Sequence, residues 1–290
     1  SADQNNSEAQ YNLGVIYLEG TGIEQDIDKA IRYFTLSANN NNVSAQYNLG
    51  TIYYEGILVK QDIKKAIHYL SMAAYNYCPE AKYNLGVIYI DRDISKSIQY
   101  LTLSSKQKCS NAQFLLGMLF YEGQFVPRDI NKAIHYLTLS SSQNKSSAQY
   151  LLGVIYYEGI YISRDMNKSI HYLTLAANQN DSKAQFLLGI IYYGKVYILP
   201  DINKAIHYLT LAANQNEPKA QYLLGVIYCE GIYISRDINK SIHYLSLAAN
   251  QNDTVAQYNL GFIYLEGQYI SRDINKSIHY LSLAANQNLP

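Results

Sequence analysis

The dipeptide Leu-Gly recurs eight times, with its glycine at Gly14, Gly50, Gly86, Gly117, Gly153, Gly189, Gly225 and Gly261. Successive intervals are 36, 36, 31, 36, 36, 36 and 36 residues. A fixed period of this length means one supersecondary unit used many times, and it excludes a single core assembled from unlike segments. The string DINKAIHYL at 129–137 returns letter for letter at 201–209, with near copies beginning at Asp62, Asp165, Asp237 and Asp273. It holds an acid, a base, a histidine and a tyrosine, so chemistry and geometry compete as explanations for its repetition.

The unit around Gly153 shows what is repeated. Ala148, Leu152, Ile155 and Tyr156 recur at i, i+4, i+7 and i+8, one stripe of a helix. Gly159 suits a left-handed stop, and a short loop, 160–164, follows. Asp165 then stands where an N-cap belongs. Met166, Ser169, Ile170, Leu173, Ala176 and Ala177 line one side of a second helix. Asn180 is the expected left-handed stop, with Asp181 or Ser182 as the next cap. Each unit therefore reads as an antiparallel helix pair, too small to bury a core alone, so stacking on neighbours must complete it and a solenoid results. The alanines allow close helix approach, Gly153 is expected to do the same between adjacent units, and Tyr136, Tyr172 and their equivalents are expected to wedge between repeats. The short interval follows Gly86, where YIDRDISKS lacks five residues present in YYEGIYISRDMNKS, which predicts a local kink.

Composition narrows the function. Lys plus Arg is 23 and Asp plus Glu is 23, a formal net charge of zero. That argues against nucleic acid as a partner and against a polybasic membrane surface. The chain holds 31 tyrosines and no tryptophan. Its three cysteines make no disulfide framework, because Cys78 and Cys109 occupy matching places in consecutive units, roughly 8–10 Å apart by helix packing. Free thiols suggest a reducing, cytoplasmic compartment. The sequence has no run of membrane-spanning length and no signal-peptide pattern, so membrane insertion is not expected.

The order Ala-x-x-x-Leu-Gly-x-x-Tyr-x-x-Gly, then Asp-x-x-Lys-Ala-x-x-Tyr-x-x-x-Ala-Ala, resembles the Sel1-like repeat, a relative of the tetratricopeptide repeat with a slightly longer unit. The likeness runs over the whole chain as one array of eight units, roughly 8–42, 44–79, 80–110, 111–146, 147–182, 183–218, 219–254 and 255–290. Departures are local: the unit around Gly86 lacks the loop glycine, YYGK stands at Tyr192–Lys195, and Ser replaces the first Ala in several units. The resemblance implies an all-α, right-handed superhelical solenoid used as a protein-binding adaptor, with no catalysis or cofactor of its own.

The residues themselves give no catalytic or metal centre. All six histidines, His68, His135, His171, His207, His243 and His279, share one slot of the second helix, on the face away from the core. Equivalent slots in neighbouring units lie roughly 8–10 Å apart, whereas metal ligation brings each nitrogen to about 2 Å from one ion. Asp165 and Lys168 have counterparts in every unit, and an active site needs unlike groups converging once. The repeated string is expected to serve geometry.

In paired-helix solenoids of this kind the first helix lines the concave side. Opposite its core stripe runs an aromatic row of Tyr11, Tyr47, Tyr83, Phe114, Tyr150, Phe186, Tyr222 and Tyr258. A mixed row beside it includes Tyr54, Tyr121, Tyr157, Tyr193 and Cys229, edged by Glu55, Glu122, Glu158 and Glu230. These rings either pack sideways on neighbouring first helices or form a groove for a protein segment carrying apolar and Lys/Arg residues. Glutamate at a helix end opposes the dipole, which hints at a further role. The last helix keeps Ile274, Ile278, Leu281 and Ala284 where a terminal unit should be polar, so the chain reads as a piece of a longer array or one that stacks end to end. A structural spacer or self-assembling rod is the alternative to an adaptor.

Overall fold

The computed structural model describes residues 6–194 and 197–287; Lys195 of the YYGK departure and the last three residues of the eighth unit lie outside them. The described residues form sixteen α-helices and no strand. They divide into two compact bodies, one up to Gln143 and one from Asn144 onward. The first body holds the pairs α1 (Ser7–Glu19) and α2 (Ile27–Asn39), and α3 (Val43–Glu55) and α4 (Ile63–Tyr75). It continues with α5 (Pro79–Tyr89) and α6 (Ile94–Lys106), then α7 (Ser110–Glu122) and α8 (Ile130–Ser142). The second body holds α9 (Ser146–Glu158) and α10 (Met166–Ala177), and α11 (Ser182–Tyr193) and α12 (Ile202–Asn214). It ends with α13 (Pro218–Glu230) and α14 (Ile238–Asn250), then α15 (Thr254–Glu266) and α16 (Ile274–Ala285).

Caps fix these boundaries. Gly159 ends α9 at φ +63°, and its N–H donates to the Ile155 carbonyl. Asp165 caps α10 through Oδ1, which accepts from the Lys168 backbone N–H at 3.0 Å. Asn180 takes φ +62° after α10, and Asp181 caps α11 by accepting from the Ala184 N–H at 2.9 Å. These are short-range bonds that satisfy groups a helix end leaves open.

Each pair is pressed together at its glycine. A Cβ built on Gly153 would meet Leu173 Cγ at 2.5 Å, so only a residue without a side chain lets α10 come this close. The partner lies in the same repeat. The expectation that Gly153 joins adjacent units is thereby corrected, because the glycine faces across its own hairpin. The second-helix tyrosines are corrected in part: Tyr172 lies flat on Tyr156 of its own repeat, centroids 6.0 Å apart and planes 4° apart. Equivalent rings also border the core shared with the preceding repeat, as Tyr208 does beside Leu173 and Leu188.

This makes the repeated string intelligible. The Asp165 N–H donates to the Tyr156 carbonyl at 3.1 Å, and Lys168 Nζ sits 3.4 Å from Asp165 Oδ2 and 5.0 Å from the centroid of the Tyr156 ring. Acid, base and tyrosine close one hairpin through a cap, an ion pair, a cation–π contact and a ring stack. The shortened repeat keeps the scheme. Asp93 N–H reaches the Tyr89 carbonyl at 2.8 Å, Asp93 caps Lys96 at 3.1 Å, and Tyr89 stacks on Tyr100. A tight turn replaces the loop without disturbing the pair.

Neighbouring repeats are joined by a buried amide that the periodicity does not reveal. Gln185 is 1 % exposed inside the interface. Its Nε2 donates to the Ala177 carbonyl of the preceding second helix at 3.2 Å, and its Oε1 accepts from Gln215 Nε2 at 2.7 Å. Gln46, Gln113, Gln221 and Gln257 bond the same way, to the carbonyls of Ala38, Ser105, Ala213 and Ala249. In the short repeat Lys82 takes the place and donates to Gln107 Oε1 at 2.6 Å.

Two measurements check this account. Gln185→Leu removes both hydrogen bonds of the Gln185 amide, leaving the Ala177 carbonyl with the bond it accepts from the Asn180 N–H, and should cost about 1–3 kcal/mol in urea unfolding, whereas Leu at exposed Gln124 should cost almost nothing; equal costs would contradict the amide's role. The carboxyls of Asp129, Asp165, Asp201, Asp237 and Asp273 are held below the usual range, chiefly by the backbone N–H each accepts from. A folded pKa below the unfolded one stabilises above the unfolded pKa and is lost as pH falls through the folded pKa. Tm should therefore be flat from neutral pH to about pH 5 and fall below about pH 4. A fall already centred near pH 6 would contradict this assignment.

Candidate functional site

Because the Leu-Gly side of each first helix turns inward, the opposite side is left for the aromatic row. In the first body Tyr11, Tyr47, Tyr83 and Phe114 are all half-buried; in the second Tyr150, Phe186 and Tyr222 are half-buried and Tyr258 is 46 % exposed. The mixed row behaves alike, with Tyr54, Tyr121, Tyr157 and Tyr193 half-buried. Sideways packing accounts for the covered half. Tyr47 and Tyr54 pack against the core that α4 shares with α5 of the next repeat, and Tyr150 and Tyr157 against the core that α10 shares with α11. Phe186 and Tyr193 reach the core around Leu224. Successive first helices touch, α3 with α5, α9 with α11 and α11 with α13. The rings thus couple repeats and still present an open edge.

Burial pushes several of these phenols above their ordinary pKa. Burial comes first at Tyr83, at Tyr150 with Asp181 and Glu158 adding, and at Tyr193 with Glu230 adding. All three stay protonated at neutral pH and remain hydrogen-bond donors. Tyr193 uses this capacity: its Oη donates to Glu230 Oε2 of the next repeat at 3.2 Å.

The acidic edge stands at the last residue of six of the eight first helices, α5 and α11 ending in tyrosine instead. Glu55, Glu122 and Glu230 are exposed and Glu158 is half-buried. Gly194 holds this register in the sixth repeat, where it is extended rather than left-handed. An arginine from the following loop offsets the unfavourable helix end. Arg164 donates from Nε to the Tyr157 carbonyl at 2.7 Å and from Nη2 to the Glu158 carbonyl at 3.0 Å, as do Arg128 and Arg236 in their repeats. Arg164 lies 4.0 Å from the centroid of Tyr197 in the next loop, and Tyr157 meets that ring edge-on. By sequence alone the Arg164 segment reads as plain loop; the recurrent Ser-Arg-Asp is the signal of its role.

The six histidines are exposed, and each meets the ring of the tyrosine beside it edge-on, as His171 does Tyr172. Among the described residues no group of three or more His, Cys, Asp and Glu could hold a metal ion. Cys78, Cys109 and Cys229 are free and half-buried, and no helix among the described residues is long and apolar enough to cross a membrane.

Comparison with known proteins places this geometry. The Sel1 repeat pattern matches eight times, at residues 7–42, 43–78, 79–109, 110–145, 146–181, 182–217, 218–253 and 254–289. Curated protein sequences give no match. The crystal structure of a protective antigen of uropathogenic Escherichia coli strains, displaying an SLR fold, superposes with a TM-score of 0.88 at 26 % identity, covering 99 % of this chain and 63 % of that one. This chain therefore spans less than two thirds of the Escherichia coli protein. A Sel1 repeat protein from Oxalobacter formigenes superposes with a TM-score of 0.79 at 30 % identity, over 99 % of this chain and 85 % of that one. Eight matches end to end, on helix pairs of one design, make the chain a member of the Sel1 repeat family.

Proposed function

We propose that the chain is a non-enzymatic scaffold, a single array of the eight repeats, that binds a segment of a partner protein along the first-helix face. One observation carries the reading. The repeated acid, base and tyrosine of the second helix are engaged in closing hairpins, while the first helices keep half-exposed rings beside a row of carboxylates. Tyrosine offers wide contact area with little side-chain entropy to lose, plus a hydroxyl. Acidic side chains in the same strip favour a segment with apolar and Lys/Arg residues. Nucleic acid and membrane insertion are not part of this reading, and a cytoplasmic setting fits the free thiols. A self-assembling rod is the alternative reading.

Because Tyr150, Tyr157 and Tyr222 also fill inter-repeat space, the test keeps their rings. A variant combining Tyr→Phe at these three positions with Glu158→Gln and Glu230→Gln should keep its Tm within a few degrees. It should lose about tenfold or more of its affinity for the proteins captured by the wild-type array, since charge-assisted bonds are worth about 1.5–3 kcal/mol each. Unchanged capture would overturn the adaptor reading. Polymers that form in sedimentation and vanish with Ile278→Lys would favour the rod.

A further inference from the structure

In the second body the mixed row passes from tyrosine to Cys229 and then Leu265, and a cavity opens beside Cys229. In the fifth and sixth repeats this place holds Tyr157 and Tyr193, whose rings meet the next loop's Tyr197 and Tyr233 edge-on. In the seventh it holds Cys229. The next repeat is trimmed as well, for Asn259 stands where Leu187 and Leu223 pack into the preceding interfaces. Between α13 and α15 this leaves a cavity of about 370 Å³, with Val226, Ile263 and the buried Leu245 among its apolar lining. That is the lower end of the range for small-ligand sites, about 300–1,000 Å³, and suits one long side chain rather than a folded surface.

Its chemistry is specific. Glu230 and Glu266 both line it and no basic residue does. Glu230 is positioned by the Tyr193 hydroxyl. Tyr258 and Phe262, centroids 4.7 Å apart and both exposed, complete the wall. Two carboxylates, apolar side chains and two exposed rings around one cavity match a guanidinium on an aliphatic stem: the stem would cover apolar lining such as Val226 and Ile263, the plane would lie on a ring, and the donors would reach the carboxylates. We infer that this cavity is an anchor site for an arginine side chain of a partner segment. The inference deepens the scaffold reading and rests on it for the source of the arginine.

Cys229 supplies an internal reporter. In a Cys78→Ser, Cys109→Ser background it is the one thiol left, and serine suits both N-cap places. The probe is acetyl-Leu-Arg-Leu-amide, with the citrulline peptide as uncharged isostere. The arginine peptide at millimolar concentration should slow alkylation of Cys229 by N-ethylmaleimide about twofold or more, as weak single-site occupancy requires. The citrulline peptide should not, and Glu230→Gln with Glu266→Gln should abolish the protection. Independently, Cys229→Tyr should refill the cavity, raise Tm, and remove binding of the fluorescent arginine peptide in anisotropy. Equal protection by both peptides, or none by either, overturns the anchor. The outcome is separable from the scaffold test: loss of protection with partner capture still sensitive to the tyrosine variant leaves the scaffold standing. Protection with capture indifferent to that variant leaves a cation site and removes the scaffold.

Discussion

The glycine of each first helix and the large side chain opposite it set everything else. In every repeat a Cβ on that glycine would collide with one residue of the second helix, Phe34 in the first and a leucine from Leu70 to Leu281 in the others. Interiors this close-packed tolerate no extra methyl without displacement. With the helices at this separation, the tyrosine pair stacks flat, the lysine three residues past the cap reaches over the ring, and the aspartate N–H reaches the first-helix carbonyl. Loosen the glycine contact and each of these distances opens.

A division of labour follows. Polar residues of the second helix close hairpins, the buried glutamines tie one repeat to the next, and the loop arginines satisfy the ends of first helices. What remains on the first helices is a strip of rings, each half engaged in packing and half open, edged by carboxylates. Identical copies cannot make a unique site, so specificity has to come from places where the pattern breaks. Cys229 and Asn259 are such a break, and the cavity is its consequence.

Most of the fold was legible because its signals are local. Caps at Asp165 and Asp181, the left-handed Gly159 and Asn180, and the apolar stripes all act within a turn or two of the residue that encodes them. What was misread or missed depends on partners beyond that range. Periodicity shows that Gly153 faces something close without saying which helix supplies it. Gln185 reads as an ordinary polar position, because its carbonyl partner lies across a chain reversal at Ala177. Arg164 reads as loop for the same reason. The aromatic rows were legible as rows, but their half-burial is a property of neighbouring repeats, and the cavity beside Cys229 needs two helices to exist.

The most direct measurement is a double-mutant cycle on Gly153 and Leu173, read by urea unfolding. In the wild type, Gly153→Ala should destabilise by about 1–3 kcal/mol, the cost of overpacking exceeding the roughly 1 kcal/mol of helix propensity that alanine gains over glycine. In the Leu173→Ala background the collision is gone and only propensity remains, so the same substitution should become stabilising. A reversal of sign is the expected result; an equal effect in both backgrounds would show that the glycine contact does not hold the hairpins together.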